Sequence, residues 1–485
     1  MNKLKKLLLF IIIILPCVVL AQTPVTEIRA VWLTTSWGLD WPTQGTSVEQ
    51  QKAELRTQLD EFRRLNFNII FFQVRARGNT FYKSTIEPQS SYFNKGNGFD
   101  PLAFAVEECH IRGLECHAWF VTYPMNAERR PIPKKRQKAA AKKYPDNYKL
   151  IKNTQWYLDP GDPKTKTHIL SLVKEIVSKY DIDGIHFDYI RYPNNDKTFP
   201  DADTYKKYGN GKSLHDWRRD NINNLVFSIY DTVKSLKKWV QVSSSPLGRY
   251  KVLPHAPKDG WTAYEVVFQD AAYWMKAGKH DMLFPMMYYR NELFEPFVED
   301  WIANCNSRPI TPGLGVYQMM PSEKDWPIKD ITMQMDYTRT SKADGQAYFR
   351  AKNILNNLKG IKDSVRVFYP YPSKLPSLSW LDNVAPDPPL DMQVYKDKDN
   401  MLHIEWKSPD ENDDLTYTVY YSTKEYVDMN DPKYIIATRI KGNKISFPIK
   451  TGDYGFYYTV TASDRYHNES VITFAAYFSH SEKMQ

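Results

Sequence analysis

The chain has 485 residues, 42% apolar and 25% charged, enough for one large hydrophobic core and a smaller second one, which excludes a disordered or low-complexity protein. Its formal charge of +9 falls to roughly +6 once Lys3, Lys5 and Lys6 leave with an N-terminal leader, a mild excess that suits an anionic polymer without requiring nucleic acid. Outside that leader Cys109, Cys116 and Cys305 remain, an odd number, so no disulfide framework is implied.

Met1-Asn-Lys-Leu-Lys-Lys, an apolar run from Leu7 to Leu15 and Val19-Leu20-Ala21 before Gln22 have the form of a signal peptide. Residues 1–21 are therefore set apart, and the mature chain is expected to be exported. Lipidation of Cys17 is the rival reading, disfavoured by Pro16 just before it. No later apolar stretch nears the roughly twenty residues of a membrane span.

Glu27 to Thr35 reads as a first strand, and Leu55, Leu59, Phe62 and Leu65 then recur at helical spacing. Asn68 to Arg75 is a nearly continuous apolar run, as in a parallel strand covered on both faces, and it ends in Arg75, Arg77 and Gly78. Asp100-Pro101 opens a helix as N-cap and first-turn proline, Gly113 closes it, and Leu114 to Phe120 follows as strand three. Between Tyr123 and Asp159 lies an insertion carrying the most basic run of the chain, residues 131–143. It reads either as a solvated helix-plus-loop or as a basic wall of a cleft. Asp162-Pro163 repeats the cap signal, and Ile169, Val173, Ile176, Val177 and Tyr180 form one apolar stripe leading into strand four, residues 181–193.

Further strands are expected at 239–245, 281–289 and 310–317, with a weaker eighth at 345–349. Strands alternating with helices predict an α/β fold, a (β/α)8 TIM barrel over residues 22–380. A doubly wound open sheet is the rival, but no glycine-rich phosphate loop follows an early strand. A proline-rich linker at 381–390 then leads to short alternating segments. Over 391–485 these predict a small all-β sandwich that resembles fibronectin type III modules, with Trp406 in its core and Tyr458 at a tyrosine corner.

His186 and Asp188 lie two apart on strand four and so share a face, at the end where barrels carry their chemistry. Strand ends would gather Gln73, Arg75 and Arg77 from strand two and His117 and Trp119 from strand three. Tyr189 and Arg191 would join Asp188 from strand four, and Tyr288 and Tyr289 from strand six. Aromatic rings stack on sugars, arginines fork onto carboxylates or hydroxyls, and a central carboxylate stabilises an oxocarbenium-like transition state. That inventory points to glycoside cleavage with Asp188 as nucleophile or acid, Arg75 and His186 tuning it, and Tyr189, Arg191, Trp119 and Tyr288 holding sugar. The plain structural readings are an Arg75–Asp188 ion pair and a core role for His117. A zinc site of His117, His186 and Asp188 has no spaced ligand motif behind it, so neither metal nor cofactor is expected. A conventional glycosidase needs a second carboxylate, for which Asp270, Glu292 and Asp40 are the candidates. A barrel that lacks that partner and merely binds carbohydrate is the competing class.

Six motifs in order identify the chain as similar to the family-10 glycosyl-hydrolase-like proteins. They are Arg29-Ala-Val-Trp-Leu-Thr-Thr, Phe72-Gln-Val-Arg-Ala-Arg-Gly, Asp100-Pro-Leu, His110-x-Arg-Gly-Leu-Glu-x-His-Ala-Trp119, Leu158-Asp-Pro-Gly-Asp-Pro163 and Asp183-Gly-Ile-His-Phe-Asp-Tyr-x-Arg-Tyr-Pro193. The resemblance covers roughly residues 27–370 and implies an exported or lipoprotein bacterial barrel. Some members are implied to cleave peptidoglycan glycan strands lacking stem peptides. Members with fibronectin-like tails resemble proteins of Bacteroides-type bacteria, which implies the periplasm or envelope of a Gram-negative cell. Strand four is also similar to the Asp-Gly-x-Asp-x-Asp-x-Glu-Tyr-Pro signature of chitinase-like barrels. Here, however, His186 replaces one aspartate, and Ile190-Arg191 stand where the single glutamate would be.

Overall fold

The computed structural model describes residues 23–479 apart from 128–129, 144, 194–198, 255, 257–259, 291–292, 411–413, 450–454 and 473. The expected signal peptide with Cys17, and Glu292, lie outside the described residues. Among the described residues no helix is long and apolar enough to cross a membrane.

Eight parallel strands form the main sheet: β1 (Ile28–Leu33), β2 (Ile69–Ala76), β3 (Glu115–Val121), β4 (Gly184–Asp188), β5 (Gln241–Ser244), β6 (Met282–Leu283), β7 (Gly313–Leu314) and β8 (Gly345–Tyr348). They lie in the order β6-β5-β4-β3-β2-β1-β8-β7. The sheet curls until its end segments meet, with parallel bridges Leu283–Ile310 and Met286–Gly313 and a 2.9 Å bond from Met287 N–H to the Gly313 carbonyl. The sixth and seventh strands are shorter than expected. Pro285 and Pro312 interrupt them and donate no backbone hydrogen bond, so regular ladder gives way to isolated bridges. Gly345 begins β8 at φ +145°, where an added Cβ would lie 1.9 Å from the Ile28 carbonyl oxygen, so only glycine lets β8 pair with β1.

Helices follow the strands as anticipated. Ser47 and Gln50 close a capping box at the start of Val48–Arg64, and Asp100 and Asp162 cap helices that begin at Pro101 and Pro163. Their apolar stripes, Leu55, Leu59 and Phe62 among them, pack with outward-facing Ile70 and Phe72 in one large cluster. A second cluster fills the interior of the curl, where Trp32 stacks on Phe71 at 5.2 Å. Leu375 and Leu378 close it from the N-terminal end of the strands.

The insertion after β3 contains the expected exposed basic helix, Lys134–Ala141, with no buried residue. It also contains an antiparallel sheet of Pro124–Ala127, Gln155–Leu158 and Tyr148–Ile151 that the sequence pattern did not signal. At the C-terminus a three-stranded and a four-stranded antiparallel sheet pack about Leu402, Ile404, Trp406, Val419 and Val460. Trp406 is 2% exposed and lies against Tyr417. These sheets sit under the N-terminal end of the strands. Arg439 pairs with Glu115 (3.1 Å) and Asp183 (3.0 Å), His467 with Glu115 (2.7 Å) and Arg465 with Asp181 (2.9 Å).

Candidate functional site

A cleft of about 460 Å³ opens at the C-terminal end of the strands. Thr34, Gln73, Trp119, Asp188 and Ser245 form its floor at or just past the ends of β1 to β5, and Tyr288, Tyr317 and Phe349 its aromatic wall. Trp37, Arg77 and Tyr189 stand at its rim on the loops that leave β1, β2 and β4, and Gln155 reaches in from the insertion. The position follows from period-two alternation, since Trp119 pairs in register with His186 and Val121 with Asp188.

Asp188 is the only carboxylate lining the cleft among the described residues. Its Oδ1 accepts the Tyr189 N–H at 2.7 Å. Burial pushes its pKa above the ordinary aspartate value, against the opposing pull of the Arg191 guanidinium, the Tyr189 N–H and the facing Trp119 and Ser245 polar groups. Trp119 Nε1 and Ser245 Oγ face that carboxyl without closing a hydrogen bond of good geometry to any described residue; Thr34 Oγ1, which turns toward Asp40, likewise closes none. Two buried polar groups thus face one carboxyl group at the cleft floor, an arrangement that can exchange hydrogen bonds with the hydroxyls of a ligand. Tyr288 meets Tyr317 edge-on at 5.5 Å, and burial raises its hydroxyl pKa, so it is neutral and can only exchange hydrogen bonds. The Arg77 guanidinium lies 4.7 Å from the Trp37 ring centre, and that of Arg191 lies 4.7 Å from the ring of Tyr189.

Of the residues expected from the sequence, Gln73, Arg77, Trp119, Asp188, Tyr189 and Tyr288 meet at this cleft, and Arg191 stands within electrostatic reach of Asp188. Gln73 also holds the rim, since its Oε1 accepts from Thr35 N at 3.0 Å and Ser36 N at 2.8 Å. Arg75 is a correction. A bulge between Gln73 and Arg75 turns it to the helix side of the sheet, where it forks onto Glu87 with two 2.7 Å bonds, so it neither lines the cleft nor pairs with Asp188. Glu87, also bonded by His168, is held down at about 2.

His117 and His186 lie below the cleft and do not reach it. His117 Nε2 donates to Glu115 at 2.8 Å, and its ring fills the space that any side chain at position 184 would need. His186 Nε2 accepts from the Trp32 indole at 3.2 Å, so its Nδ1 carries the proton and donates to Ser243 at 2.9 Å. Burial keeps His186 neutral, and as an uncharged core imidazole it does not tune Asp188. Among the described residues no three His, Cys, Asp or Glu side chains are grouped to hold a metal ion. Asp270 precedes the helix Ala271–Lys276, accepts from the Tyr250 hydroxyl at 2.7 Å and lies outside the cleft. Asp40 is buried on Arg350, with 2.8 Å and 3.0 Å bonds from Thr34 N and Lys352 N. Glu292 lies outside the described residues. Sequence reasoning passed over Thr34, Ser245, Tyr317 and Phe349, although the strand-end rule that selected Asp188 selects them too. Trp37 and Gln155 lie where no periodicity pointed.

The chain matches the family described as Glycosyl hydrolase-like 10 over residues 27–307. It is 32% identical over 474 residues to "Glycosyl hydrolase YngK" of Bacillus subtilis, with 92% of each chain covered. It is 31% identical over 348 residues to "Glycosyl hydrolase DigH" of Escherichia coli, covering 64% of this chain and 79% of that one. Among solved structures, the PgaB (BpsB) glycoside hydrolase domain from Bordetella bronchiseptica aligns with a TM-score of 0.49 and 15% identity, over 71% of this chain and 99% of that domain.

Proposed function

The chain belongs to the Glycosyl hydrolase-like 10 family, and from that premise we propose that it is an exported glycoside hydrolase acting on peptidoglycan glycan strands. The observation that carries the reading is Asp188, a buried carboxyl with a raised pKa at the end of β4, facing the polar atoms of Trp119 and Ser245 on the floor of an aromatic cleft. In this reading the curled sheet is a complete (β/α)8 barrel. Asp188 is the general acid that protonates the departing glycosidic oxygen, since burial holds its proton further up the pH scale than in an ordinary aspartate. Arg191 steadies the carboxylate left behind. Trp119, Tyr189 and Tyr288 stack on or bond to sugar rings, and Gln73 keeps the rim in place. Glu292, which follows β6 in the chain, is the proposed second carboxylate, acting as base or nucleophile.

In this reading residues 1–21 are an export signal and the protein works in the periplasm or cell envelope of a Gram-negative bacterium. The paired C-terminal sheets, over 391–485 after the 381–390 linker, act as a fibronectin type III-like spacer. One observation favours a second reading, a barrel that binds carbohydrate without cleaving it: Asp188 has no other carboxylate beside it among the described cleft residues.

The test is to count new reducing ends from glycan strands, intact and stripped of peptides, with wild type, Asp188→Asn and Glu292→Gln. Release by wild type and loss in both variants supports the reading. Binding without release by wild type selects the carbohydrate-binding barrel.

A further inference from the structure

Among the described residues Arg77 is a cation without an anion. It lines the cleft, yet its guanidinium has no hydrogen-bond or ion-pair partner among the described residues. Its guanidinium lies over the ring of Trp37. Burial lowers its pKa, and the nearby Tyr189 opposes this. The backbone places it with care. Arg75–Thr80 and Ala76–Asn79 pair antiparallel, so Arg77 and Gly78 form the two-residue turn of a tight hairpin, with φ of 54° and 73°. Glycine and asparagine suit the first corner of such a turn, and a long side chain there carries a strain of about 1 kcal/mol. Trp37 (φ 57°) and Tyr189 (φ 51°) occupy the same left-handed region, and both rings stand exposed, at 54% and 40%. Three rim residues are thus held in an unfavourable conformation, with two aromatic faces and a guanidinium turned to the cleft.

An aromatic face suits a sugar ring, while a half-buried guanidinium beside it suits a planar anion gripped by two hydrogen bonds. Among the described residues no such anion is supplied: the one carboxyl of the described cleft, Asp188, is already engaged with Tyr189 N–H and the field of Arg191. A carboxylate carried by the ligand fits that place.

We infer that Arg77, braced on Trp37, is a specificity-determining residue that reads a carboxylate on the sugar bound at the rim of the cleft. The inference rests on the glycan-hydrolase reading above and adds a charge requirement to it. On a peptidoglycan strand the carboxylate is that of the lactyl ether, which is free and anionic when no stem peptide is attached and becomes a neutral amide when one is. A uronic acid presents the same group.

The test compares kcat/KM on three probes: peptide-free strands, the same strands with lactyl carboxylates converted to methylamides, and a polyuronate. Binding of the same probes to the Asp188→Asn protein is read by calorimetry. Free-acid strands should be preferred over amidated ones by about 10- to 100-fold, mostly through KM, because a charge-assisted bidentate contact is lost. Arg77→Gln should bring the ratio to about one, and Arg77→Lys should restore part of it. A ratio near one in wild type, or one that survives Arg77→Gln, overturns the inference while leaving the hydrolase reading intact. Absence of turnover on all three probes with Arg77-dependent binding of the free acid overturns the hydrolase reading and keeps the inference. An Arg77-dependent preference for the polyuronate assigns the carboxylate to a uronic acid.

Discussion

Asp183 and Asp188 bracket the same strand, β4, and are equally hidden, at 6% and 7% exposure, yet they are opposites chemically. Asp183, at the N-terminal end, accepts from Cys116 N at 2.8 Å, His110 Nε2 at 2.8 Å and Arg439 at 3.0 Å, and its pKa is held down at about 2. Asp188, at the C-terminal end, takes one backbone bond of good geometry, and burial pushes it up in spite of Arg191, Trp119 and Ser245 beside it. Glu115 repeats the lesson at the lower end of β3, saturated by His117, Gln241, Arg439 and His467 and held well below the ordinary glutamate value. Burial does not separate a structural acid from a chemical one. What separates them is whether the protein itself satisfies the carboxylate. The N-terminal end closes its ion pairs with the C-terminal sheets, whereas the cleft leaves its polar atoms for a ligand.

The sharpest break of this contrast is a substitution at each end of β4 in turn. Asp188→Asn should lower kcat by about 10²- to 10⁴-fold, the range for losing a general acid, in a protein whose circular dichroism is unchanged. The opposite end should answer in stability. Arg439→Ala strands Glu115 and Asp183 without their shared cation and should cost about 3 kcal/mol in denaturant unfolding, with turnover preserved in the folded fraction.

The two acids should also answer pH in opposite senses. Asp183 is depressed when folded, so its stabilising contribution is complete above the unfolded carboxylate pKa and is lost as pH falls through about 2. Wild-type Tm should therefore drop between roughly pH 4 and pH 2, and Asp183→Asn should flatten that limb. Asp188 is raised when folded, so its ionised form is a burden above that pKa, and as a general acid it loses its proton as pH rises. Activity should accordingly decline on the alkaline side of a pKa that lies above the ordinary aspartate value. The smallest effect expected is that Asp188→Asn raises Tm by about 1–3 °C on the alkaline side of the Asp188 pKa, where the wild-type carboxylate is a buried charge.

Much of this was legible in the sequence because it depends on local rules. Continuous apolar runs marked β2 and β3, Asp-Pro pairs marked two helix starts, and alternation on strand four placed Asp188 at an open end. Depth was not legible. His117, His186 and Asp188 obey the same alternation, but which layer each occupies is set by the register of neighbouring strands. The bulge that turns Arg75 away adds a residue to β2 against β3 without any composition signal. The pairs Glu115–His467 and Asp183–Arg439 join residues hundreds of positions apart, across a fold boundary that periodicity does not see.

The most direct measurement is turnover of peptide-free glycan strands by wild type, Asp188→Asn and Asp183→Asn, taken well below the Tm of the least stable protein. The contrast between the two ends predicts reducing-end release by wild type and Asp183→Asn and silence from folded Asp188→Asn. Undiminished release by Asp188→Asn, or loss of turnover in folded Asp183→Asn alone, would contradict it.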